Sequence, residues 1–104
     1  MATTIDYIEY VCAQIKDAGA VRYKKMFGEY MVYVNDKPLL LVCNNTAYVK
    51  MLPCLHDIMA EAERDFPYNG AKEHYILDID DADLTLSVVS ALEPVVPVPK
   101  PKKK

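Results

Sequence analysis

Apolar residues recur at Ile5, Ile8, Cys12 and Ile15, spaced three and four apart as on the buried stripe of a helix, and Thr4 precedes them as an N-cap. Gly19 is the expected left-handed stop. From Val21 the period falls to two: Tyr30, Val32 and Val34 share one strand face, and Met31 and Tyr33 share the other. Asn35 and Asp36 tolerate the backbone of a tight hairpin. The near-continuous apolar run at 39–43 then reads as a central strand covered on both faces, with Pro38 at a strand start, where its missing N–H does least harm. Asn44 and Asn45 turn the chain again into Thr46–Lys50. The result is an antiparallel meander of three strands, or four if Val21–Met26 pairs as well.

Beyond Pro53, the residues Leu55, Ile58, Met59, Ala62 and Phe66 repeat at helical spacing and predict a second helix that Pro67 closes. Asn69 and Gly70 mark a turn. Tyr75, Leu77 and Ile79 alternate as a further strand, and the acids at 80–83 suit the N-terminus of a last helix that turns Leu84, Val88, Ala91 and Leu92 inward. The expected architecture is α+β: an N-terminal helix, an antiparallel meander, a second helix, further strand(s) and a C-terminal helix. It occupies residues 1–93. Residues 94–104, with repeated prolines and terminal lysines, read as an extended tail.

A chain of 104 residues supports one core. Its net charge of -3 hides a division: without the four tail lysines, 8 basic residues face 15 acidic ones, and residues 1–93 carry -7. Residues 21–50 hold five basic and two acidic side chains, whereas 51–93 hold two basic and ten acidic. The sheet region is therefore the basic side of an acidic body. Such a balance disfavours strong non-specific nucleic-acid binding, which needs a dense Lys/Arg face. No apolar run approaches a membrane span, the N-terminus lacks the pattern of a signal peptide, and three scattered cysteines form no C-x-x-C pair. A cytoplasmic protein with reduced thiols is expected.

Catalytic candidates are few. Cys54 and His56, two residues apart on a helix, point in different directions. His74 has no partner at metal-ligand spacing. The acids between Asp78 and Asp83 fail as a calcium loop, because the sixth and twelfth positions from Asp78 are Asp83 and Val89 instead of glycine and glutamate. Capping of the last helix by Asp80 or Asp81 accounts for them. Gly28 lacks the companion glycines of a phosphate loop and marks a bend or bulge at a strand start. No catalytic, metal or cofactor-binding residue is expected, and the chain reads as non-enzymatic.

Eight tyrosines and no tryptophan leave one functional feature, aromatic residues beside Arg22, Lys24 and Lys25 that suit an interface. With these pieces placed, Met26-Phe27-Gly28 followed by Tyr30, the spacing to Asn35-Asp36-Lys37, and Pro67-Tyr68 with Gly70-Ala71-Lys72 resemble the N-terminal domain of the TfoX/Sxy family of bacterial competence regulators. The likeness covers nearly the whole chain. It implies an α+β fold and a non-enzymatic role in activating DNA-uptake genes together with the cyclic-AMP receptor protein. Full-length regulators of that kind carry a second domain, and the proline-lysine tail here leads us to expect a stand-alone module.

The leading expectation is a protein-interaction module in transcriptional regulation, whose surface comprises Arg22, Lys24, Lys25, Phe27, Gly28, Tyr30, Tyr68 and Lys72. The partner is another protein, with transcription machinery the expected class. A homodimer, through an exposed sheet edge or through tyrosines buried across a two-fold axis, is a further expectation. The alternative is direct nucleic-acid binding through the basic sheet region and lysine tail, with affinity falling steeply with salt. An enzyme using Cys43 or Cys54 would reveal itself by rapid, selective alkylation of one cysteine.

Overall fold

The computed structural model describes residues 3–26 and 29–98. Helix α1 (Ile5–Gln14) begins as its sequence suggests, with the Thr4 hydroxyl accepting from the Tyr7 amide at 3.2 Å. Its buried face is turned slightly from the expected stripe. Ile8, Val11 and Ile15 are fully enclosed and Cys12 half so, while Ile5 remains 45% exposed in the first turn. The helix does not end in a left-handed glycine: Ile15 caps it, a short 3-10 turn follows over Lys16–Ala18, and Gly19 comes next at φ +154°.

Six strands form one antiparallel sheet: β1 (Val21–Met26), β2 (Glu29–Val34), β3 (Lys37–Cys43), β4 (Thr46–Lys50), β5 (Arg64–Asp65) and β6 (His74–Leu77). Their spatial order is β1-β2-β3-β4-β6-β5. The fourth meander strand therefore exists, and it is an edge. Both tight turns place two non-glycine residues at positive φ, Asn35 (53°) with Asp36 (68°) and Asn44 (51°) with Asn45 (56°), as a type I′ hairpin demands. Between β2 and β3 the register slips, pairing Val32 with Leu40 but Tyr33 with Pro38, so Leu39 forms a bulge.

The alternation gives the sheet two unlike faces. Tyr30, Val32, Val34, Leu40, Val42, Ala47, Val49, Tyr75 and Leu77 enter the core, with Ile8, Val11 and Ile15 from α1 and Val88, Val89 and Leu92 from α2 (Ala82–Leu92). Asp81 caps α2 by accepting from the Leu84 amide at 3.0 Å. Met31, Leu41, Tyr48 and Ile76 lie side by side on the opposite face, outside that core.

The expected second helix is a correction. Pro53–Leu55 forms one 3-10 turn, and turns continue through residue 61 without becoming an α-helix. Leu55 and Met59 anchor this segment in the core, but Phe66 is 56% exposed. Arg64 and Asp65 pair with Tyr75 and His74, so the chain must already be extended where the helix would have its last turn. Of the expected stripe only Leu55 and Met59 are buried, Ile58 being exposed, and the segment that carries them stays in turns.

The tail boundary also shifts. Val95 and Val96 amides both donate to the Leu92 carbonyl, and Val96 packs against the core, so the chain is still turning at residues 94–96 where an extended tail was expected. The terminal lysines lie outside the described residues. Among the described residues, no helix is long and apolar enough to cross a membrane.

The β2–β3 turn is tied to both helical ends. Asn35 pairs with Ala20 through its amide (2.8 Å, to the carbonyl) and its side-chain oxygen (3.0 Å, from the amide). The Asn35 side-chain nitrogen, Nδ2, also donates to the Glu93 carboxylate at 3.4 Å, and that carboxylate meets Lys37 at 3.1 Å. Lys37 in addition donates to the Glu93 carbonyl at 2.6 Å.

Two outcomes follow from this packing. A methyl group on Gly19 would lie 2.7 Å from the Asn35 side chain, whereas one on Gly70 (φ +89°) meets nothing within 4 Å. Gly19→Ala should lose about 1–3 kcal/mol in urea unfolding and Gly70→Ala only about 1 kcal/mol; equal losses would show that the Asn35 contact is relaxed at little expense. Separately, hydrogen bonds from Lys37 and Asn35 hold the Glu93 carboxyl below its ordinary value. Stability from this group is present at neutral pH and lost as pH falls through its folded pKa. Glu93→Gln should therefore flatten the acid-side fall in the urea midpoint, and an unchanged acid limb would count against the pairing.

Candidate functional site

Strand β1 pairs with β2 along its whole length and, among the described residues, has no strand on its other side. Alternation sends Arg22 and Lys24 to the open face, opposite Tyr33 and Met31, and Tyr23 and Lys25 to the helix-bearing face, opposite Val32 and Tyr30. All four are exposed. Arg22 is partly engaged: its Nε lies 3.2 Å from an Asp36 oxygen and its guanidinium covers the Tyr33 ring at 4.3 Å from the centroid. Lys24 and Lys25 form no ion pair among the described residues.

Tyr30 does not belong to this surface. It is 4% exposed and part of the core, meeting the exposed Tyr23 edge-on at 5.7 Å between centroids. The strand period that made Tyr30 an inward residue outweighs its basic neighbourhood in sequence. Phe27 and Gly28, the other two members of this expected cluster, lie outside the described residues.

Tyr68 and Lys72 belong elsewhere. The loop of residues 66–73 carries them over the open face, where they line a groove of about 330 Å³ with Met31, Leu41, Tyr48, Lys50 and His74. Tyr48 forms much of its floor. It is 7% exposed although it points away from the main core. Burial first, then the charge of Asp65, push its phenol above the ordinary value, against a hydrogen bond with Thr46 that acts the other way. His74 Nδ1 is 2.7 Å from the Lys72 carbonyl; since a carbonyl only accepts, Nδ1 carries the hydrogen. That bond fixes the ring edge-on to Tyr48, with centroids 6.5 Å apart. Sequence reasoning missed Tyr48, Lys50 and His74 as groove residues. Their shared parity in β4 and β6 was available, but the strand order that makes β4 and β6 neighbours was not.

The cysteines offer no activated thiol by the usual route. Cys43 is buried, and desolvation with the neighbouring Glu29 carboxylate pushes its thiol up to about 12. Burial and Glu9 also raise Cys12. Cys54 is half-buried beside an exposed His56. Among the described residues, no group of three or more His, Cys, Asp or Glu side chains could hold a metal ion.

Over 105 aligned positions the chain is 30% identical to the "Uncharacterized 12.7 kDa protein in trpE 5'region" of Spirochaeta aurantia, covering 99% of this chain and 91% of that protein. No family model matches the chain.

Because only a thiolate attacks an alkylating reagent, Cys43 should label slowest of the three near neutral pH in the folded protein. All three should label alike in urea. Intact-mass and peptide analysis after iodoacetamide treatment checks this, and rapid selective labelling of Cys43 would contradict its enclosed, protonated state.

Proposed function

The chain belongs to the same family as the Spirochaeta aurantia protein, and we propose that it is a non-enzymatic protein-interaction module, acting in the cytosol on transcription through a protein partner. The reading takes its role from the likeness to the N-terminal domain of TfoX/Sxy competence regulators, carried by Asn35-Asp36-Lys37 and the loop with Tyr68 and Lys72. The observation that carries it physically is β1: a six-residue edge strand with Arg22, Lys24 and Lys25 exposed on a body that is otherwise acidic.

An unpaired edge presents backbone N–H and C=O groups that an extended segment can complete as an added strand. The charge on β1 selects the occupant. Two copies joined antiparallel about Tyr23 would set Arg22 against Lys24, and about Lys24 would set Lys24 against itself, and like charges directly opposite destabilise a ladder. An acidic extended segment of a different protein places carboxylates against the same side chains. The partner is therefore a heterologous, acidic strand.

Affinity capture from nuclease-treated lysate, comparing the wild-type protein with an Arg22→Glu/Lys25→Glu variant, tests this. Transcription proteins with acidic extended segments should be enriched by the wild type and lost with the variant. Equal recovery by both proteins would overturn the assignment to β1, and recovery that vanishes with nuclease would favour nucleic acid as the direct partner.

A further inference from the structure

We propose that the groove on the open sheet face is a binding site for a small aromatic carboxylate, a site separate from β1 and independent of the regulatory reading. Tyr48 and Tyr68 supply ring surface, Met31 and Leu41 supply aliphatic surface, and Lys50, Lys72 and His74 stand among the lining residues. Among the described residues, none that lines the groove is acidic. That absence is informative in a chain whose residues 51–93 hold ten acidic side chains and two basic ones.

One carboxylate acts on the groove from the neighbouring strand, that of Asp65, whose charge adds to burial in raising the Tyr48 phenol. Asp65 stands opposite His74 in the ladder, outside the lining, and its carboxylate accepts from the Phe66 amide at 2.7 Å. Lys50 and Lys72 form no ion pair among the described residues. They share the groove with Met31, Leu41 and the rings of Tyr48 and Tyr68. A ligand with an uncharged body and one carboxylate satisfies both halves, while a cation of the same shape meets repulsion.

Size decides between a small molecule and a protein segment. At about 330 Å³ the groove is of the order that small ligands fill, and the 66–73 loop encloses it enough to leave Tyr48 7% exposed. A partner's strand or helix would need a longer, flatter surface. The bond from His74 Nδ1 to the Lys72 backbone carbonyl fixes the imidazole against the loop backbone before a ligand arrives, which reduces the ordering that binding requires.

The test uses two probes with one body and opposite charge, 4-phenylbutyrate and 4-phenylbutylamine, titrated into the ¹⁵N-labelled full chain. The acid should shift the amides of Leu41, Tyr48, Tyr68, Lys72 and His74 saturably, with a dissociation constant below about 10 mM. The amine should bind at least about fivefold more weakly. Lys50→Gln/Lys72→Gln should weaken the acid by a similar factor, and Tyr68→Ala should weaken both probes, with the core amide shifts unchanged in each variant. Equal affinity for acid and amine, shifts confined to other surfaces, or no saturable shift would overturn the proposal. A partner-capture result at β1 bears on none of these readouts.

Discussion

Asn35 holds the β2–β3 turn against the chain that leads into β1, and the placement of the sheet edge depends on that contact. The asparagine is in the left-handed conformation the hairpin needs, and from there its backbone and side chain engage both polar groups of Ala20. A Cβ at position 19 would come within 2.7 Å of that side chain, so glycine there leaves it in place. The same turn reaches Glu93 through Asn35 and Lys37, so the entry to β1 and the end of α2 share one polar junction. Lys37 is largely covered there, with 19% of its side chain exposed, which makes this pair more than a solvated surface contact.

From that junction the sheet is built with one face committed. Both helices and the Leu55–Met59 anchors pack into the same core, and on the opposite face Met31, Leu41 and Tyr48 share a groove with Tyr68 and Lys72 of the 66–73 loop. A half-buried antiparallel sheet ordinarily carries polar residues on its outer face. Here that face is apolar at its centre and basic at its margin, with Arg22 and Lys24 on one side and Lys50, Lys72 and His74 on the other. The two functional readings draw on the two sides of this arrangement: backbone groups and cations at the edge strand, and an enclosed recess nearer the middle.

Local pattern carried much of this architecture. The Thr4 cap, the period-two run through Tyr30, Val32 and Val34, the two asparagine turns and the capped α2 are decided by neighbouring residues, and they were legible in the sequence. The second helix was not, because the competing interaction lies outside its own turns: Arg64 and Asp65 are drawn into a strand by Tyr75 and His74, beyond the intervening loop. The site divided in the same way. The basic edge at Arg22, Lys24 and Lys25 could be read from composition, but Tyr30 is removed from it by strand parity, and Tyr68 and Lys72 are removed by the loop that carries them to Tyr48 and His74.

Native-state hydrogen exchange on wild-type protein and Asn35→Gly tests most directly whether this junction presents the edge strand. Glycine keeps the left-handed turn accessible while deleting the side chain that caps Ala20. The expected result is faster exchange confined to residues 20–26, with the β3 and β4 amides retaining their protection. Unchanged protection in β1, or an equal loss throughout the sheet, would contradict a local role for Asn35 in holding the edge.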